Sequence, residues 1–156
     1  KNFGVVPQTV SLFSGTVGEN ITIGVDDYDE KFLLKVSEVS GVMSWLGRTP
    51  NGFDYKLSEG GKELSGGQRQ TIAIARALIR KPHYIILDEP TANMDTATEQ
   101  LVLKNLAEYF KDETVLIVTH RMAPLSLVSR IVVLDNGKVN VDGPKEKILE
   151  RLKGAA

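Results

Sequence analysis

The chain has 156 residues, 42% of them hydrophobic and 25% charged, the balance of one soluble globular domain rather than a disordered segment. Nineteen basic and twenty acidic residues leave a net charge of −1, which argues against a chain built mainly to hold nucleic acid. With no cysteine, disulfides, thiolate metal sites and cysteine nucleophiles are excluded. No run approaches the roughly 18 apolar residues of a transmembrane helix.

The chain opens on Lys1 rather than methionine. Phe3-Gly4-Val5-Val6 reads as a buried strand almost at the first residue, so a piece of a longer protein is expected. A loop follows at Pro7-Gln8-Thr9, and Thr16 to Asn20 fits a short helix. Asp29 can cap a helix to about Ser40, with Phe32, Val36 and Val39 on one face. Thr49 to Lys62, rich in Gly, Pro, Asn and Asp, reads as a long loop. Ser65 is a candidate N-cap for a helix through Arg80, whose stripe is Ile72, Ala75, Leu78 and Ile79 and which Pro82 stops. Trp45 and Leu46 read as core or interface packing, and His83 as solvated.

Tyr84 to Leu87 is apolar without alternation, the pattern of a strand buried on both faces. Thr96 and Glu99 have capping-box spacing for a helix to about Phe110. Thr114 to Thr119 is another buried strand, and Ala123 to Val128 fits a short helix. Arg130 to Leu134 and Lys138 to Val141 flank Asp135-Asn136-Gly137, a type I′ hairpin signal. Pro144 opens a last helix, Lys145 to Lys153. Strands alternating with helices predict an α/β fold with a mostly parallel sheet. Ligands of such sheets sit at the carboxyl ends of the strands. Gln8, Asp88-Glu89 and His120 all fall there.

A carboxylate at such an end suits Mg²⁺, held directly or through water. A second one beside it can orient or deprotonate a water. The same pair could equally cap a loop. Ser65-Gly66-Gly67 at a helix start offers a hydroxyl, open backbone N–H groups and the positive end of the helix dipole, which together seat a phosphate. On its own the tripeptide is also what a plain capped turn looks like. A lone histidine such as His120 gains meaning from its place among the other stations.

Together these residues resemble the nucleotide-binding domain of ABC transporters. Leu64 to Gln68 reads LSGGQ, the signature motif. Tyr84 to Glu89 resembles the Walker B strand, with Glu89 in the catalytic position. Gln8 in VVPQ matches the Q-loop, Thr91-Ala92-Asn93-Met94-Asp95 the D-loop and His120 in VTH the switch histidine. VSLFSGTVGENI (Val10 to Ile21), Gly52-Phe53-Asp54 and Glu59-Gly60-Gly61 are similar to the exporter branch. EPTANMD and the tail LDNGKVNVDGPKEKIL look closest to type I secretion ATPases. No G-x-x-x-x-G-K-[ST] loop occurs: Gly61-Lys62 is followed by Glu63, and Gly137-Lys138 by Val139. In the family that Walker A loop lies upstream of the Q-loop. Lys56 stands near where exporters often carry a glutamate.

The resemblance implies a truncated P-loop NTPase (ABC ATPase) core spanning residues 1–156, the C-terminal part of one nucleotide-binding domain. Its helical subdomain would cover about 16–80, and its catalytic core about 1–15 and 81–156. Two such domains would join head to tail around two ATP molecules with Mg²⁺. Ser65, Gly66, Gly67 and Gln68 would meet the nucleotide held by the partner, and Asp95 would bridge across the dimer. Asp88 and Gln8 would hold Mg²⁺ or its waters, Glu89 would polarise the attacking water and His120 would steady the γ-phosphate. The region from Thr16 to Trp45 would meet a transmembrane domain. The expected whole is an exporter of proteins or peptides at the cytoplasmic face of the bacterial inner membrane. The 156 residues alone are expected to be soluble and inactive without Walker A. Alternatives are a lipid or peptide exporter, and a non-catalytic module that self-associates or binds through the signature face. A DNA-repair ATPase of the same family is disfavoured by the charge and by the lack of coiled-coil heptads.

Overall fold

The computed structural model describes residues 3–153. The central sheet is parallel and has the order β1-β4-β5, with β1 at Phe3–Val6, β4 at Tyr84–Asp88 and β5 at Thr114–Val118. Phe3 is in register with Tyr84 and Tyr84 with Thr114; Val5 is in register with Ile86 and Ile86 with Leu116. Residues in register on parallel neighbours share a face. One face of the sheet therefore carries Val6, Ile85 and Leu87, all buried in the core. It is covered by α4 (Gly66–Leu78), which packs on β1.

The other face carries Phe3, Val5, Tyr84, Leu116 and Val118, between 45% and 61% exposed. This corrects the expectation of strands buried on both sides. The apolar residues are present on both faces, but among the described residues nothing covers the second one. Phe3 and Tyr84 stack on it with ring centroids 5.2 Å apart.

The helical part gathers around α4. The short α1 (Val17–Thr22) begins on a full capping box between Thr16 and Glu19. The amphipathic α2 (Glu30–Val39) is capped by Asp29 and buries Leu33 and Val36. Trp45, in the single turn α3 (Met43–Leu46), is buried and donates its indole N–H to Thr71 Oγ1 at 3.0 Å. Arg76 reaches from α4 to the carbonyls of Asn20 and Ser11, tying the segment after β1 to the helix.

The long loop is not featureless. Lys56–Leu57 (β3) pairs antiparallel with Gly15–Thr16 (β2), and a 3-10 turn spans Gly52–Asp54. Two-residue strands leave no periodicity to read.

After β4, α5 (Thr96–Tyr109) packs on α2. Ala123–Leu127 is a short 3-10 helix, as expected. A separate hairpin joins β6 (Arg130–Asp135) to β7 (Lys138–Pro144). Its turn residues Asn136 and Gly137 have φ of 48° and 74°, both positive as a type I′ turn demands. Helix α6 (Lys145–Lys153) ends the described chain.

Candidate functional site

Because β1, β4 and β5 are parallel neighbours, Gln8, Asp88-Glu89 and His120 leave the sheet at the same edge. The two carboxylates leave it differently. Asp88 is still in the strand, in register with Val118 on the open face. Glu89 turns out of the strand with φ 46°, a left-handed backbone unusual for a glutamate. Its side chain is buried under the end of β5. Glu89 Oε1 accepts the backbone N–H of His120 at 3.0 Å and lies 2.7 Å from His120 Nδ1. Oε2 accepts the Thr119 hydroxyl at 3.2 Å. Burial pushes the Glu89 carboxyl up, but the hydrogen bonds from His120 and Thr119 outweigh it and hold the group below its ordinary 4.5. The His120 side chain is 80% exposed, so the imidazole touches the carboxylate while still facing solvent.

The signature begins α4. Ser65 is its N-cap, as expected, and Gln68 completes a reciprocal capping box. Ser65 Oγ accepts the Gln68 N–H at 3.1 Å and Gln68 Oε1 accepts the Ser65 N–H at 2.8 Å. Gln68 is thus engaged in holding the helix start. The Ser65 hydroxyl still has its proton to donate, and the first-turn N–H groups of Gly66 and Gly67 have no carbonyl behind them in the helix. A Cβ on Gly66 would sit 2.9 Å from Asn93 Cβ, and one on Gly67 3.0 Å from the Asn93 carbonyl oxygen. The paired glycines let the helix start press against the loop that follows Glu89.

Asp95 is the N-cap of α5. It accepts the Thr98 N–H at 2.9 Å and the Thr98 hydroxyl at 2.8 Å, and these bonds hold its carboxyl below the usual range. This overturns the capping box expected of Thr96 and Glu99. The helix starts one residue earlier, so Glu99 falls outside the box position. Its buried carboxylate instead takes the Thr91 hydroxyl at 2.6 Å and Arg121 Nη2 at 2.8 Å. Gln8 is exposed beyond β1, and His83 is exposed as expected.

Sequence reading missed Gln70, Thr91, Glu99 and Arg121 as parts of this site. Thr91 is itself a D-loop residue and the others lie within a few residues of a motif, but only the folded chain turns them inward.

The donor set at the start of α4 suits a phosphate group. The start of α4 supplies N–H and O–H donors and a positive dipole to an anion. Among the described residues no group of three acids or histidines could hold a metal on protein ligands alone. A single carboxylate such as Asp88 suits Mg²⁺, which keeps waters and takes phosphate oxygens as ligands.

The parallel sheet with helices packed on one face is an α/β core that matches part of an ABC ATPase core. The ABC transporter family pattern matches residues 1–92. An ATP-dependent lipid A-core flippase of Desulfotalea psychrophila (strain LSv54 / DSM 12343) is 38% identical over 146 residues, 94% of this chain and 26% of its own length. The heterocyst differentiation ATP-binding protein HepA of Nostoc sp. (strain PCC 7120 / SAG 25.82 / UTEX 2576) is 33% identical over 151 residues, 97% of this chain and 25% of its own. A solved structure of a bacterial Atm1-family ABC exporter with ATP bound superposes with a TM-score of 0.88 at 31% identity, over 99% of this chain and 28% of the other. The chain belongs to the ABC transporter family. It spans about a quarter of the length of these relatives.

Proposed function

We propose that this chain is part of the ATP-hydrolysing motor of an ABC exporter and supplies the signature, the Walker B acids and the switch histidine. The observation that carries this is Glu89. A buried carboxylate in contact with an exposed imidazole, at the carboxyl end of a parallel sheet, supports a role in orienting a water.

ATP would be the phosphoryl donor, and bound Mg²⁺ would supply charge shielding on its phosphates. Asp88 and Gln8 would hold the metal or its waters. Glu89 orients the attacking water, and the solvent face of His120 meets the terminal phosphate. The Ser65 hydroxyl and the N–H groups of Gly66 and Gly67 bind phosphate held by a second, head-to-tail subunit. Asp95 lies at that subunit junction. Phosphoryl transfer asks mainly for positioning and charge stabilisation, which fixed polar groups provide. In this reading the Walker A segment covers the open face that ends at Asp88. A transmembrane domain of the same transporter docks on the helical region from Thr16 to Trp45. The motor works at the cytoplasmic face of the membrane.

Of the exporter classes, similarity to lipid A-core flippases favours an amphiphilic lipid over a secreted protein or peptide. Translocation of a fluorescent lipid by the reconstituted full-length transporter supports this choice; peptide transport without lipid transport reverses it. Glu89→Gln in the full-length transporter should lower ATP turnover by about 10³-fold or more while Mg-ATP still binds. Hydrolysis at an unchanged rate removes Glu89 from the role. The 156 residues alone carry no Walker A pattern and should neither bind ATP at micromolar concentration nor hydrolyse it. Calorimetry with Mg-ATP checks this.

A further inference from the structure

Gln70 lies two residues past the LSGGQ motif on α4 and is fully buried. A buried carboxamide is costly unless both of its ends are bonded, and here both are. Nε2 donates to the backbone carbonyl of Glu89 at 2.6 Å. Oε1 accepts the backbone N–H of Asn93 at 3.3 Å. One end faces an acceptor and the other a donor, which fixes the orientation of the amide.

The carbonyl that Gln70 grips belongs to the residue with φ 46°. Such a backbone persists in a glutamate only where its surroundings hold it. On the other side the Glu89 N–H donates to the Val118 carbonyl at 2.9 Å. Glu89 is therefore clamped between β5 and α4, and the α4 half of the clamp is one side chain. The glycines at the start of α4 pack against Asn93, the other residue Gln70 holds.

We propose that Gln70 is a positioning residue for Glu89. It fixes the left-handed turn that presents the carboxylate, and it ties that turn to the signature helix of the same chain. The inference rests on the proposed function, in which Glu89 serves the subunit's own ATP and the signature serves the partner's. One side chain then joins the two nucleotide sites within a subunit.

The test uses the full-length transporter. Gln70→Met keeps the shape and removes both hydrogen bonds; Gln70→Glu keeps the acceptor for Asn93 and removes the donor to Glu89. Both should lower kcat about 10- to 100-fold, the scale of a small misplacement of a catalytic group. KM for ATP should stay within about threefold, because the interaction is not one made to bound substrate. In a Glu89→Gln background, Gln70→Met should cost nothing further, since its effect passes through Glu89. Wild-type kcat in a folded Gln70→Met protein overturns the proposal, as does a KM rise at constant kcat or an additive loss in the double variant. Loss of ATP binding together with a lowered unfolding temperature makes Gln70 structural and also overturns it. Glu89→Gln run alone separates the two ideas. If it hydrolyses normally, the reading of the site has failed; if it is inactive while Gln70→Met is not, only the positioning role has failed.

Discussion

At the residue scale, the site is held by polar side chains buried just behind it. Glu99 is the clearest case. Its carboxylate joins Thr91, in the loop after β4, to Arg121, beside the switch histidine. Arg121 also donates to the Thr91 carbonyl at 2.6 Å. Removing Arg121 strands a buried carboxylate, and Arg121→Met should destabilise the fold by about 3 kcal/mol, the low end for a broken buried pair because Arg121 is partly exposed. Urea denaturation of the 156-residue chain measures it. Glu89 gives a pH signature. Its native pKa lies below the ordinary 4.5, so the stability it contributes is present above the unfolded value and is lost as pH falls through the native one. The stability difference between the wild-type chain and Glu89→Gln should shrink as pH falls below the ordinary carboxyl value of 4.5. A denaturation series across acid pH checks the sign.

At the element scale, the close approach of α4 to the sheet decides the geometry. A Cβ on Gly4 would meet Pro82 Cγ at 2.8 Å and the Ala77 carbonyl oxygen at 2.9 Å. Backbone at that distance cannot yield cheaply, so Gly4→Ala should cost about 1–3 kcal/mol despite the better strand propensity of alanine. A lowered thermal midpoint is the expected reading, and an unchanged one would mean that β1 and α4 separate freely. Local signals specify most of these elements. Ser65 capped α4 as its sequence predicts, and Asn136-Gly137 made the type I′ turn. The capping-box spacing of Thr96 and Glu99 points to a start of α5 one residue too late, because Asp95 caps the helix through Thr98 and needs no partner at Glu99. The choice of Asp95 comes with the inward demand of Thr91 and Arg121 for the Glu99 carboxylate, which lies beyond any local window.

At the scale of the whole molecule, the sheet has one covered and one open face. Phe3, Val5, Tyr84, Leu116 and Val118 form a contiguous apolar surface by register, and such surfaces associate. The 156-residue chain should gain mass with concentration in sedimentation experiments, and Leu116→Lys with Val118→Lys should return it towards monomer. A wild-type chain that stays monomeric at high concentration would contradict this.

The sequence by itself determined the α/β class, the motif order and the stations at the strand ends, because periodicity, turn residues and motif spacing are local properties. Tertiary structure alone decided which sheet face is covered, which carboxylate turns inward and what Gln70 and Glu99 hold. Those outcomes depend on contacts between residues far apart in the chain. An unalternating strand such as Tyr84 to Leu87 reads the same whether its second face is packed or waiting for a partner.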